Sequence, residues 1–286
     1  MNNLSNQQKG SLLAFVAIIF ITPDTLLIRL SNIETWGMLF YRGAIPFFVV
    51  LLGLIFFYKK KFFNAFFNVG WTGIFYTISF SICNITFLIS IQNTNVANTL
   101  VMIAIAPMLS AILGGIFLKE IPGKKTWIAI IVTFSAVFYI FYDSLQIGNI
   151  LGDLMALITA TGLAVNAVLI RSAKDRDLLP AAIMGKGCVA LFALFFVESF
   201  ALNGNDLIYV PLMCIMCVAI PFVLVTIATI YIPSEEVNLF FLLETILGPI
   251  WVWLVIKEEP SLETIIGGSI IIITIGIHSY FKVKKS

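Results

Sequence analysis

Residues 242–260 read LLETILGPIWVWLVIKEEP, and this stretch decides the fold of the 286-residue chain. It is apolar enough for a membrane interior, yet it holds Glu244 and a helix-breaking Gly248-Pro249 pair. It closes on the charged sequence KEEP at residues 257–260. A similar stretch, residues 104–122, ends in KEIP, 138 residues before KEEP. The recurrence indicates that one structural unit is used twice.

Further matches along the chain support this duplication. An offset of 142 residues places Gly10 on Gly152, and LIR at residues 27–29 on LIR at residues 169–171. An offset of 144 places Arg42 on Lys186. Similar offsets in a constant order are the signature of an internal repeat. We therefore predict two domains, residues 1–143 and residues 144–286.

The composition excludes an ordinary soluble protein. Hydrophobic residues make up 60% of the chain and charged residues 11%, with a mean hydropathy of +1.04, whereas soluble domains contain about 25% charged residues. The four cysteines lie in apolar runs, and Cys214-x-x-Cys217 lacks a second pair, so we interpret them as small buried hydrophobes. Phosphate-binding loops, zinc spacings and nucleophile constellations are not found. The sequence predicts no enzyme activity, no cofactor, no metal and no nucleic-acid partner.

Apolar segments long enough to cross a bilayer as helices recur along the whole chain, since about 20 residues span the hydrocarbon core. We predict ten spans, at residues 10–29, 36–58, 69–91, 96–118, 126–142, 150–171, 180–202, 208–231, 236–256 and 262–281. The predicted fold class is an all-α integral membrane protein, with ten transmembrane helices arranged as two inverted five-helix repeats.

The basic residues predict the orientation, because cytoplasmic loops are rich in Lys and Arg. With the N-terminus inside, 13 of the 17 basic residues are cytoplasmic: Lys9, Lys59, Lys60, Lys61, Lys119, Lys124, Lys125, Arg171, Lys174, Arg176, Lys282, Lys284 and Lys285. Arg29 and Lys257 lie outside. Both termini are therefore predicted to be cytoplasmic. Five helices per unit is an odd number, so the second unit enters the membrane inverted, as in many secondary transporters.

Acidic residues within the spans are candidate site residues, because each costs about 2.5–3.5 kcal/mol to insert. Asp24 follows Pro23 in the first span and is either a surface cap or a substrate or proton ligand. Glu244 lies in the ninth span beside Thr245, whose carbonyl Pro249 leaves without its helical partner. Glu244 is interpreted as a cavity ligand or, alternatively, as a packing contact.

Basic residues occupy matched positions in the second and seventh spans. Arg42 and Lys186 either extend to the headgroups or pair with Asp24 and Glu244 to form a neutral polar centre. The helices themselves are predicted to break or bend at Pro23, at Pro107 and at Gly248-Pro249.

Polar stripes in the third and sixth spans complete the candidate cavity. Thr77, Ser81 and Asn84 share one helix face, and Asn166 falls at the position that matches Asp24. Such stripes line cavities or join helices together, and Trp251 is either a cavity wall or a packing residue. Glu120 and Glu258 are interpreted instead as caps or salt bridges at the membrane edge.

These residues carry a resemblance to a known family. In each of two five-helix halves a turn, LKEIP or IKEEP, precedes a final helix rich in small residues. These halves, together with PDTLLIRL, LFYRG and NTNVANTLVMIAIAP, resemble the EamA family of the drug/metabolite transporter superfamily. The resemblance covers nearly the whole chain. It implies a secondary carrier whose central cavity opens alternately to each side, and it implies amino acids, nucleobases, other metabolites or drugs as substrates, often moved outward.

Several functional hypotheses remain open. The first is an alternating-access exporter of a small organic metabolite in a bacterial inner membrane, a location suggested by composition. The second is a proton-coupled exporter of organic cations, and the third is a non-transporting scaffold or sensor. The expected partners are a small-molecule substrate and the lipid bilayer, with protons as a candidate coupling ion, and the protein is expected to be a monomer or a homodimer.

Overall fold

The computed structural model describes residues 5–119, 123–147, 149–173, 176–232 and 234–283, and these contain helices and no strands. Ten helical spans follow one another. They are α1 (Asn6–Leu30), α2 (Thr35–Tyr58), α3 (Gly70–Asn93), α4 (Val96–Phe117), α5 (Lys124–Ile147), α6 (Ile150–Ser172), α7 (Leu179–Ala193), α8 (Asp206–Leu212, Met213–Ala219 and Ile220–Tyr231), α9 (Ser234–Ile256) and α10 (Leu262–Val283).

Six of these helices are long and apolar enough to cross a membrane, and α5, α7, α9 and α10 contain shorter apolar stretches. The chain is therefore an all-helical, multi-pass membrane protein. We call the side where α1 begins and α10 ends the terminal face, and the other side the opposite face. Large apolar side chains such as Phe56 and Phe195 are exposed on the outside of the bundle, as expected for a surface in contact with lipid.

Two spans are interrupted next to their prolines. In α1, helix Asn6–Ile21 ends before Pro23, and a second helix begins at Asp24. In α4, helix Val96–Ile103 ends before Pro107, and Ala106–Phe117 follows. In both places proline removes a backbone donor and its ring crowds the preceding turn. These interruptions lie where the sequence predicts them.

Of the predicted break or bend at Gly248-Pro249, the break is not present, because α9 continues as one helix through Pro249. Packing explains the continuity. A Cβ on Gly248 would lie 2.5 Å from Leu100 of α4 and 3.9 Å from the carbonyl oxygen of Thr22 in α1. The helix is held from two sides at this point, so the loss of one hydrogen bond does not open it.

The seventh span is shorter than predicted. It ends at Ala193, and the apolar residues up to 202 fold into turns, with the Phe196 amide bonded to the Ala193 carbonyl at 3.0 Å. Trp36 of α2 stacks on Phe196 at a centroid distance of 4.7 Å. The Tyr41 hydroxyl donates to the carbonyl of Phe200 at 2.7 Å. The run is apolar because it covers the start of α2.

Contacts at matched glycines are exchanged between the halves. A Cβ on Gly10 would lie 2.9 Å from Tyr231 at the end of α8, and one on Gly152 would lie 2.6 Å from Asn93 at the end of α3. Asn93 and Tyr231 are 138 residues apart, the offset that aligns KEIP with KEEP. The same close approach therefore occurs once in each direction, as a pseudo-two-fold axis requires.

The backbone repeats in detail after α4 and α9. Lys119 and Lys257 each follow the end of their helix with positive φ, 57° and 64° respectively. Non-glycine residues rarely adopt positive φ. Its recurrence at the 138-residue offset shows that the fourth helix of each unit is followed by the same local backbone conformation.

Candidate functional site: a buried polar centre

The first half contributes a buried ion pair. Asp24 is the first residue after the interruption in α1, and Arg42 lies one helix later in α2. The guanidinium Nη1 and Nη2 donate to the two carboxylate oxygens at 2.6 and 2.8 Å. The residues are 4% and 8% exposed. A paired geometry of this kind is strong, and removing one partner from a buried pair costs about 3–5 kcal/mol.

The second half contributes a cation held by an amide. Lys186 of α7 is 8% exposed, and its Nζ donates to Oδ1 of Asn84 in α3 at 2.5 Å. Asn84 is oriented by its own helix, because its Nδ2 donates to the carbonyl of Phe80 at 2.7 Å. Asp24 and Arg42 lie within electrostatic range of Lys186. The four groups thus form one polar centre.

One face of α3 contacts both cations. Phe80, Asn84 and Phe87 are spaced i, i+4 and i+7, so they line the same side of the helix. The ammonium of Lys186 lies 5.7 Å from the Phe80 ring centroid, and the Arg42 guanidinium lies 5.8 Å from that of Phe87. Neither ring was among the predicted site residues, although their spacing from Asn84 would have indicated them.

Glu244 lies near this centre but does not pair with a base. Its carboxylate is within electrostatic range of Asp24 and Arg42, and the residue is partly buried. Among the described residues the side chain has no ion pair and no hydrogen bond. The expected neutral centre is therefore formed for Arg42 with Asp24, whereas Lys186 is bonded to an amide rather than to Glu244.

Thr77 and Ser81 join helices in this conformation. The Thr77 hydroxyl donates to the Ala181 carbonyl at 2.9 Å, and the Ser81 hydroxyl lies 3.0 Å from the Gly185 carbonyl. Both are buried, and both acceptors belong to α7. They lie in the α3–α7 contact and join these helices, which is one of the two roles that the sequence left open for polar stripes.

Asn166 is buried between α6 and α3. Its Nδ2 donates to the Cys83 sulfur at 3.7 Å, and its Oδ1 has no hydrogen-bond partner in the part of the chain that the structure describes. It does not contact Asp24, which it matches in the repeat. Thr159 lies two turns earlier on the same helix face, and its hydroxyl bonds to the Thr86 hydroxyl of α3 at 2.7 Å.

The helix α9 packs on the interruption in α1. Trp251 donates from Nε1 to the Thr22 hydroxyl at 3.2 Å and is 42% exposed, so it is a packing residue at the edge of the centre. Thr245 is buried one residue after Glu244. The Thr25 hydroxyl, which the sequence analysis did not consider, is buried without a partner among the described residues.

The opposite face is closed by Glu258. Its Oε1 accepts from the backbone amide of Val96 at 2.8 Å, and Arg29 contacts both of its oxygens, at 3.2 and 3.1 Å. Arg29 also donates to the Thr94 carbonyl at 2.8 Å. Glu258 is thus a cap and a salt bridge that ties α1, α4 and the loop after α9 together. Its repeat partner, Glu120, lies outside the described residues.

The packing of α4 also differs between its two ends. Every residue from 96 to 102 is buried, whereas only Met108 and Gly114 are buried in Ala106–Phe117. The helix is enclosed at the opposite face and looser towards the terminal face. Together with the Glu258 contacts, this burial makes the opposite face tightly packed in the described conformation.

The cysteines of α8 adjoin the ion pair. Met213–Ala219 is a π-helical turn between Pro211 and Pro221, and it places Cys214 and Cys217 within electrostatic range of Arg42. Both thiols are buried and unoxidised. No group of three or more His, Cys, Asp or Glu suited to a metal occurs among the described residues. The flanking prolines were the available signal for this irregular turn.

Comparisons with known proteins agree with this architecture. The sequence model of the EamA-like transporter family matches residues 8–142 and 150–280. No curated protein matches the chain significantly. Thirteen solved chains are structurally similar; one, titled only as a crystal structure of a protein, has a TM-score of 0.62 and 14% identity over 95% of this chain and 97% of its own. At that identity the likeness shows the fold alone. With both repeats matched over most of its length, the chain belongs to the EamA-like transporter family of the drug/metabolite transporter superfamily.

Proposed function

We propose that the protein is a secondary transporter that exports a small organic metabolite, an amino acid or a similar compound, by alternating access. The observation that carries this proposal is the polar centre of Asp24, Arg42, Lys186 and Asn84, beside Glu244. Asp24, Arg42 and Lys186 are buried in a membrane fold, with Asp24 directly after the α1 interruption, and Asn84 and Glu244 are partly buried. Ionisable groups at such depth are costly and mark substrate pathways.

The charges of the centre suit a ligand that carries both signs. Arg42 is neutralised by Asp24, which leaves the ammonium of Lys186 without a carboxylate and Glu244 without a base among the described residues. A carboxylate and an ammonium on one substrate would complement these two groups. The outward direction rests on the family resemblance. The basic-residue pattern supports a cytoplasmic terminal face, and the composition supports a bacterial inner membrane.

A screen of the purified protein tests this proposal. Metabolite pools, including amino acids, are added in detergent, and the unfolding temperature is measured. Stabilising compounds are then assayed for uptake into proteoliposomes. We expect a zwitterionic compound to raise the unfolding temperature and to be transported. A protein that binds such a compound but never moves it would be a sensor or a scaffold.

A second candidate is a proton-coupled exporter of organic cations, which the unpaired state of Glu244 favours. If Glu244 exchanges protons, Glu244→Gln should abolish transport driven by a pH gradient and leave substrate exchange largely intact. If it binds substrate, the same change should weaken binding without altering the pH dependence. Unchanged transport and affinity at every pH would assign Glu244 a structural role.

A further inference from the structure

The two halves place matched residues at the polar centre but bond them differently. Asp24 matches Asn166 and Arg42 matches Lys186. In the first half the matched residues are bonded to each other. In the second half Lys186 donates to Asn84, and the buried Oδ1 of Asn166 has no partner among the described residues.

An unbonded buried acceptor is unfavourable by about 1–3 kcal/mol, and such groups are rare in native proteins. Asn166 is 4% exposed, so bulk water does not relieve this cost in the described conformation. The position is the one at which the first half carries the acceptor of Arg42. The acceptor that the repeat provides for Lys186 is therefore present and unused.

Asn166 and Lys186 bond to consecutive residues of α3. Asn166 of α6 donates to the Cys83 sulfur, and Lys186 of α7 donates to Asn84, the next residue. Gly185 also packs on Phe80 of α3, where an added Cβ would lie 2.8 Å from the ring. The side chain of Lys186 is long and flexible. It donates to one amide acceptor, and the unused acceptor belongs to α6, which packs on the next residue of α3.

We propose that Asn166 is the second acceptor of Lys186, which donates to Asn84 when the carrier is closed at the opposite face and to Asn166 when it is open there. Asn166 is then a positioning residue that stabilises one of two transport states. The inference rests on the proposed alternating access. It concerns the state of the free protein, however, so it is tested without substrate.

Only the second half is suited to this exchange. Moving Lys186 between two amide oxygens replaces one hydrogen bond by an equivalent one. Separating Arg42 from Asp24 would leave two buried charges unpaired, at a cost of about 3–5 kcal/mol. The ion pair therefore stays fixed while the lysine changes its acceptor.

The test uses a cysteine introduced at the opposite face to detect whether that face is open. Ala97 is 6% exposed next to Glu258, so Ala97→Cys reacts with a hydrophilic maleimide only when that face opens. Cys188 is the exposed native thiol, and Cys188→Ser removes it. The labelling rate is measured on the full-length protein in nanodiscs, with the Cys188→Ser protein as the background control.

Asn166→Asp gives Lys186 the partner type that Arg42 has, and charge-assisted hydrogen bonds are about twice as strong as neutral ones. We expect Asn166→Asp to raise the labelling rate about tenfold, the equivalent of about 1.4 kcal/mol. Lys186→Met should abolish that increase, and Lys186→Arg should preserve it. An increase that persists with Lys186→Met, or no increase at all in the folded variant, overturns the proposal.

A second pair of variants tests the same step without adding a charge. Asn84→Leu removes the present acceptor, so labelling should rise severalfold when Asn166 is intact and should not rise when Asn166→Leu is also present. Equal rates in the single and double variants overturn the proposal. If the labelling pattern is as expected but the parent protein with Ala97→Cys and Cys188→Ser transports nothing, the result counts against the proposed function alone.

Discussion

The two halves of the molecule use the same positions to solve different electrostatic problems. Arg42 in the first half is neutralised by a bidentate carboxylate, with distances of 2.6 and 2.8 Å. Lys186, its match in the second half, is held by one amide oxygen at 2.5 Å. The first arrangement fixes helices α1 and α2 to each other. The second holds a cation whose charge is not cancelled by its partner. The repeat therefore keeps the positions of the cations but not their pairing with a carboxylate.

Removing the cation of each half should give the largest difference in stability loss between the two halves. Arg42→Met leaves the Asp24 carboxylate buried and uncompensated, so we expect the free energy of unfolding to fall by about 3–5 kcal/mol. Lys186→Met leaves only the Asn84 oxygen unbonded, and the expected loss is about 1–3 kcal/mol. Denaturant titration of the solubilised protein measures both. Equal losses would show that the two halves are electrostatically alike.

Double-mutant cycles measure the coupling energy of each pair separately. Replacing both members of a pair by apolar residues avoids the unpaired group, so each double variant should recover part of the single loss. For Arg42→Met with Asp24→Leu we expect a coupling of about 3 kcal/mol, and for Lys186→Met with Asn84→Leu about 1 kcal/mol. A larger coupling in the second pair would refute the assignment of the ion pair to the first half.

The smallest expected effect concerns the rings of α3. Phe80→Leu and Phe87→Leu each remove one cation–π contact, and the expected loss is about 0.5–2 kcal/mol beyond the change in packing. Phe75→Leu is the matched control, because Phe75 is 60% exposed on the outside of the bundle. If the control loses as much stability as the other two, the rings do not act through the cations.

Helix number and repeat were readable from the sequence because they depend on local properties. Apolar length predicts a span, and the recurrence of KEIP as KEEP predicts the pairing of α4 with α9. The interruptions beside Pro23 and Pro107 follow in the same way from one missing backbone donor. Residues 194–202 show the limit, since an apolar run can equally cover the start of a neighbouring helix.

The contacts within the polar centre could be predicted less well from the sequence, because they depend on how each helix is rotated about its axis. The spacing of Thr77, Ser81 and Asn84 shows that they share a face, but it does not show which helix lies opposite. The structure places α7 against Thr77 and Ser81, and only Asn84 reaches a charge. Likewise, α9 remains continuous at Pro249 because of packing by α1 and α4, which no local pattern encodes.

Counterflow in proteoliposomes tests the central claim most directly. Vesicles containing the protein are loaded with an unlabelled compound chosen by thermal stabilisation, and accumulation of the labelled compound from outside is followed in time. We expect transient accumulation with the native protein and its loss in the Arg42→Met, Asp24→Leu variant, which has an apolar pair at that site. If no stabilising metabolite or organic cation exchanges faster than in protein-free vesicles, the protein is not the carrier described.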